Sequence, residues 1–439
     1  MARYLKGIHV PHRKNTANKP AVRMDAPQTV TIPMAMHIGK PATLAVKVGD
    51  LVKVGTKIGE ANGAVSANVY ASVSGKVNKI EDCLLSNGAT APAVVIESDG
   101  AMSVDETLAA PTVTDRQSLV DALKESGIVG LGGAGFPTHV KFDVDPARID
   151  YLIINGAECE PYVTSDTVTM LTRGDDMAYA IETIARCLGI GKVIIGIENN
   201  KKEAIAAMRA MAASVSVCDV QVTSLPSVYP QGGEKVLVYH ATGRVIPMGK
   251  LPIDAGCVVI NCTTLATIGA YLRTGMPLVE KCVTVDGGAV AQPQNVIAPI
   301  GTSIEALFAF CGGLKEQPTK ILYGGPMMGI TVPNADAPVL KNTNAVLALT
   351  EKEAKLPKTT ACIRCGACVN NCPFGLAPAA ISRAYDSRNA DELVELAVDA
   401  CMECGCCSYV CPANRPLVQK NKLSKQFLKE KRVKEANKQ

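Results

Sequence analysis

The chain has 439 residues, a formal net charge of +4 and 47% hydrophobic residues. That length is too great for one core and implies roughly three or four domains. No stretch approaches the roughly 18 consecutive apolar residues of a membrane span, and with no Trp and 4% aromatics there is no platform for nucleic acid.

The start, Met1 to His9, lacks the apolar core of a signal peptide, so an intracellular location is expected. In such a chain seventeen cysteines point to metal or redox chemistry, not disulfides. Residues 1–24 carry Arg3, Lys6, Arg13, Lys14, Lys19 and Arg23 with no acid before position 25. Basic ends of this kind suit an anionic membrane face or an acidic partner, or else are solvated termini.

From Val46 to Val77, period-two alternation between Gly-containing turns predicts a small all-β module. It resembles the barrel-sandwich hybrid of lipoyl and biotinyl carrier domains. No Met-Lys-Met or Asp-Lys-Ala tip is present to carry a prosthetic group, so a scaffold is expected. After a connector at residues 100–116 the pattern changes. Helices are predicted at Ser118–Val129, Asp175–Leu188 and Lys201–Ala213, and strands at Tyr151–Ile154, Lys192–Ile197 and Val215–Val222. Such alternation implies βαβ units on a mainly parallel sheet.

Residues 280–332 read as a strand, a helix capped near Thr302 or Ser303 and a further strand, a small α+β module. Helices at Ala379–Tyr385 and Asp391–Ala400 make the cysteine region all-α. The last segment, 417–439, is basic, with Leu417, Leu423, Phe427 and Leu428 among lysines. As an amphipathic helix it would lie against a membrane or a partner.

Cys362, Cys365, Cys368 and Cys372 precede Pro373, and Cys401, Cys404, Cys407 and Cys411 precede Pro412. In such a CxxCxxCxxxCP run three thiolates converge from one turn, and the fourth ligates the other centre of a two-cluster domain. Cys362, Cys365 and Cys368 are thus paired with Cys411, and Cys401, Cys404 and Cys407 with Cys372. Structural zinc, the competing reading, closes with four ligands grouped two and two and has no use for triplets. Cys406 receives no role from the spacing.

Gly130, Gly132 and Gly135 match GxGxxG, with Gly133 between them. The Rossmann arrangement needs a strand before the glycines, whereas here a helix precedes them. The remaining reading is an unobstructed backbone loop for a phosphate or flavin ring, with Lys141 supplying charge. Asn155, Glu158 and Glu160 follow a strand's C-terminal end, where α/β sheets bind ligands. None of the five histidines stands in HExxH spacing, and no general base is expected.

Gly130 to Thr138 with Lys141, Asn155 to Pro161, Tyr229 to Lys235, and Asn261 to Ala266 together resemble the flavin-bearing NADH-binding subunit of respiratory complex I. With a β module in front and two cysteine runs behind, the whole order is similar to the C subunits of Rnf-type electron-transport complexes. The resemblance implies a multidomain α/β chain. Its parts would be a barrel-sandwich hybrid at 1–110, a Rossmann-like FMN/NADH domain at 116–275 and a ubiquitin-like SLBB module at 276–335. An all-α ferredoxin-like domain with two [4Fe–4S] clusters at 352–416 and the basic tail 417–439 would follow. It further implies FMN contacts from Gly130, Gly132, Gly133, Lys141, Asn155, Tyr229, Glu234 and Asn261, and NADH contacts from Phe136 and Glu160. Leu131 and Ala157 depart from the complex I pattern, which has Arg and Asp there.

The function so implied is electron transfer between NAD(H), FMN and two [4Fe–4S] clusters. It would take place in a peripheral subunit on the cytoplasmic face of a membrane complex that couples NAD(H) to ferredoxin and moves Na⁺ or H⁺. Its partners would be the other subunits and, indirectly, ferredoxin. Two alternatives remain: a relay and docking subunit without nucleotide chemistry, and a ferredoxin-dependent enzyme acting on an organic substrate.

Overall fold

The computed structural model describes residues 5–85 and 88–436; Arg3 and Lys438, two of the terminal cations, lie outside them. Behind the N-terminal segment, a four-stranded antiparallel sheet (Leu51–Val52, Gly75–Leu84, Thr90–Ser98, Thr29–Pro33) faces a three-stranded one, which forms the β module. Alternate residues of its strands, such as Val30, Ile32, Val94 and Ile96, enter the core.

The α/β domain is built on four parallel strands in the spatial order Asp219–Leu225, Lys192–Glu198, Tyr151–Gly156, Cys257–Asn261. The chain starts in the interior of this sheet, winds outward to Asp219–Leu225, then returns to the far side of its first strand. This creates a switch point between Tyr151–Gly156 and Cys257–Asn261, where open α/β sheets leave a crevice beyond the strand ends. There Asn155 and Asn261 are direct register partners.

The helix predicted at Ser118–Val129 runs from Arg116 to Glu125, capped by Asp115. It stops at Gly127, which adopts φ +64, leaving Ile128 and Val129 to lead into the glycine loop. The strand predicted at Val215–Val222 lies at Asp219–Leu225, because parallel pairing with Lys192–Glu198 selects the register. In the cysteine region, Asp391–Ala400 is a helix Ala390–Glu395 and a 3-10 turn Val398–Ala400, interrupted at Ala397 with φ 51.

Two strands of one sheet come from outside residues 276–335. The sheet of the α+β module takes an edge strand, Ala21–Arg23, from the N-terminal segment and a further strand, Ala345–Leu349, from beyond position 335. Both pairings are long-range and leave no local pattern. The N-terminal cations are correspondingly structural. The Lys14 ammonium is buried and donates to the carbonyls of Glu158 (3.0 Å), Glu160 (2.8 Å) and Val163. Arg23 pairs with Glu280, and Arg13 contacts Tyr162 and Glu353.

The basic tail is also not free. Residues Leu417–Ala436 form one helix that packs on Pro378–Asp386. Its buried stripe is Leu417, Asn421, Ser424 and Leu428, and Lys420, Lys425 and Arg432 pair with Asp386, Glu403 and Asp399. Because half of that stripe is polar, the apolar residues alone did not outline the packed face.

Candidate redox site

The glycine loop lies over the switch point. The Gly130 N–H donates to the Phe136 carbonyl at 2.8 Å, closing the turn, and the short helix Thr138–Phe142 follows. A Cβ on Gly132 would stand 2.5 Å from Asn261 Nδ2, whereas one on Gly133 would meet nothing within 4 Å. The loop therefore presses on Asn261 at one residue and is open at the next. It is braced from two other domains: Ile38 N–H donates to Gly135 O (3.1 Å) and Asn342 Nδ2 to Gly133 O (2.8 Å).

Lys141 Nζ donates to Val259 O at 2.9 Å and stands 3.6 Å from the Glu234 carboxylate. Asn155 Nδ2 donates to Gly232 O at 2.9 Å, and Asn261 Nδ2 to Asp166 at 2.8 Å. The structure thus brings Gly130, Gly132, Gly133, Lys141, Asn155, Glu234 and Asn261 to one sheet edge. Gly132, Gly133 and Ala134 are exposed, and the Lys141 ammonium is held at the strand Cys257–Asn261 whose last residue lies under Gly132. These features fit a phosphorylated flavin. Leu131 is a core residue at 1% exposure, which explains why an apolar side chain is accepted at that position.

Tyr229 and Glu160 are engaged elsewhere. Tyr229 is buried and donates its hydroxyl to the Cys404 carbonyl at 2.7 Å. Glu160 accepts the backbone N–H groups of Met327 (3.1 Å) and Met328 (2.8 Å) from the α+β module, and burial raises its carboxyl to about 7. Phe136 is half-buried in the loop. Asp166, not singled out in the sequence, holds both Asn261 and the Thr263 hydroxyl (2.6 Å). Those two partners stand 95 and 97 positions away, so no local signal marks it.

The two cysteine runs share one turn. Arg364 and Glu403 have φ 56 and 62, and the glycines two residues later, Gly366 and Gly405, have φ 76 and 82. Left-handed conformations at non-glycine positions persist where the surroundings enforce them, as at ligand clamps. The runs lie antiparallel: Thr360 N–H donates to Ala413 O at 3.0 Å and Thr359 Oγ1 to Asn414 O at 3.0 Å. The start of the first run is therefore beside the end of the second.

Conversely, Cys372, Cys401, Cys404 and Cys407 line one pocket with Cys406, Val418 and Asn421. Three thiols from one run and the fourth from the other suit a cubane better than a tetrahedral ion. Asn421 Nδ2 donates to Cys401 Sγ at 3.3 Å, and the Glu403 N–H to the same sulfur at 3.4 Å. The Asn421 Oδ1 is buried without a partner. Cys406 faces the Tyr229 carbonyl at 3.9 Å. This inner site abuts the α/β domain: a Cβ on Gly233, next to Glu234, would run into the Met402 methyl.

Four families match successive parts of the chain: the RnfC barrel sandwich hybrid domain (residues 2–101), the Nuo51 FMN-binding domain (123–270), the SLBB domain (282–331) and the 4Fe-4S dicluster domain (358–415). The sequence is 42% identical over 389 residues to the C subunit of the Na(+)-translocating ferredoxin:NAD(+) oxidoreductase complex of Acetobacterium woodii, covering 87% of each. The chain belongs to the family of Rnf-complex C subunits. Another member, the C subunit of the ion-translocating oxidoreductase complex of Rhodobacter capsulatus, is 38% identical over 97% of this chain and 83% of its own length. Among solved structures, an NAD+-reducing [NiFe]-hydrogenase in the H2-reduced state shares the fold, with TM-score 0.51 and 19% identity over 74% of this chain and 64% of that one. The four matched domains follow one another in the same order as the β module, the α/β domain, the α+β module and the cysteine region of the fold.

Proposed function

We propose that this chain is the NAD(H)-reactive subunit of an ion-translocating ferredoxin:NAD oxidoreductase complex. It would hold FMN at the glycine loop and two [4Fe–4S] clusters on its cysteine turns. When bound, FMN supplies the exchange between a hydride and single electrons, and the clusters supply one-electron steps. The residues of the chain provide position. Gly130, Gly132 and Gly133 leave the backbone open, Lys141 offers its ammonium to a phosphate, and Asn155 and Asn261 fix the floor of the crevice. Glu234 orients Lys141.

The observation that carries this reading is the inner four-thiol cavity seated against the flavin domain through Gly233, Met402 and the Tyr229–Cys404 hydrogen bond. Tyr229 acts as the link between the two sites, and Glu160 as the clasp that holds the α+β module against them, with NAD(H) taken beside Phe136. The order of the route is then glycine loop, inner site, outer site. No helix among the described residues is long and apolar enough to cross a membrane. Attachment is through the other subunits of the complex, on the cytoplasmic face.

The test is an anaerobic visible spectrum of purified, reconstituted protein with iron and flavin quantified, before and after NADH. About eight irons and one flavin per chain are expected from two cubanes, with both absorbances bleached by NADH. Clusters without flavin, or flavin indifferent to NADH, would reduce the chain to a relay.

A further inference from the structure

The inner site faces the flavin domain, so the outer site, Cys362, Cys365, Cys368 and Cys411, is where electrons leave or reach the chain. Its surroundings differ from the rest of the cluster domain. Every residue from Lys355 to Cys365 is exposed. Within that segment Leu356 is 80% and Ile363 68% exposed.

Lys355, Lys358 and Arg364 bring three positive charges to the segment, which contains no acid. Among the described residues none of the three stands within ion-pair distance of a carboxylate, and all three are exposed, so their charge is open to solvent. Three unpaired cations, two exposed apolar side chains and two exposed cysteines within eleven residues combine the charged and apolar elements of an interface with a redox group.

We infer that residues 355–365 form the docking surface for an acidic-faced protein that carries a one-electron centre. The inference rests on the relay reading above. Charge complementarity names the occupant, since an unpaired basic rim steers an acidic surface and raises its encounter rate. The position of the thiols names its chemistry, since Ile363 lies between Cys362 and Cys365 and a partner covering it comes next to the outer site. An anionic lipid surface would satisfy the charges but would accept no electrons there.

The experiment uses the assembled complex in membranes, carrying Lys355→Glu, Lys358→Glu and Leu356→Ser together. Ferredoxin-dependent NAD+ reduction is expected to fall at least about tenfold, with its salt dependence flattened. NADH oxidation by ferricyanide and the paramagnetic signals of both clusters should be unchanged. In parallel, a photo-crosslinking residue replacing Leu356 should capture an acidic segment of a redox-centre-bearing subunit. Should charge reversal strip iron, the Lys355→Gln and Lys358→Gln pair together with the cross-link decides. An unaltered ferredoxin-linked rate, or cross-links to lipid alone or to a protein without a redox centre, overturns the inference. Failure of NADH to bleach wild-type flavin would instead sink the relay reading, and the cross-link would still report on docking.

Discussion

Replacing Asn421 by Leu removes the side-chain N–H that reaches Cys401 Sγ at 3.3 Å, and with it the buried carbonyl that has no partner. A hydrogen bond to a ligating sulfur favours the more negative, reduced state of a cluster, so its loss lowers the midpoint potential. A net hydrogen bond is worth about 0.5–1.5 kcal/mol, which for one electron corresponds to about 20–65 mV. Leu keeps the branched outline and leaves no polar atom behind, but its methyl groups are bulkier than the amide in this buried position, so the two effects oppose and thermal stability should change little. The assay is a redox titration followed by paramagnetic resonance. One of the two cluster signals should move down by that amount and the other stay in place. Equal shifts in both, an upward shift, or none would refute the placement of the tail helix as a wall of the inner site.

The crosswise pairing is tested by combining that variant with Cys372→Ser or Cys411→Ser. The Asn421→Leu shift should survive in the Cys411→Ser background and vanish with Cys372→Ser; the reverse would favour each run ligating its own cluster. Gly132→Ala puts a Cβ 2.5 Å from Asn261 Nδ2, a clash costing about 1–3 kcal/mol. Flavin content should drop while iron stays constant, and retention of both would show that the loop does not bear on the flavin. Lys341 is fully buried, donates to the carbonyls of Asn68 and Gly127, and is lowered by burial to about 7 from 10.5. Between those values the unfolded chain holds a proton that the native chain releases, so stability rises as pH rises from 7 toward 10.5. The melting temperature of wild type should climb relative to Lys341→Met across that window, and parallel curves would contradict the assignment.

The sequence by itself determined whatever is written in short-range spacing. The two cysteine runs, Cys362–Cys372 and Cys401–Cys411, each carry a cysteine triplet within a few residues of chain, and the alternation of helix and strand from Ser118 to Val222 follows from local periodicity. The helix-before-glycines order also told against a Rossmann loop, and the helix Arg116–Glu125 stands there. Only the tertiary structure decided which distant groups meet. Lys14 looked like one cation of a solvated terminus, yet its ammonium is buried among three carbonyls of the loop after Tyr151–Gly156. Asp166 and Tyr229 likewise take their roles from partners 95 and 175 positions away. The tail helix is the sharpest case: its buried stripe contains Asn421 and Ser424, so hydrophobic patterning could not reveal it. A polar side chain is buried where a specific partner awaits it, here a cysteine sulfur, and only folding brings that partner within reach.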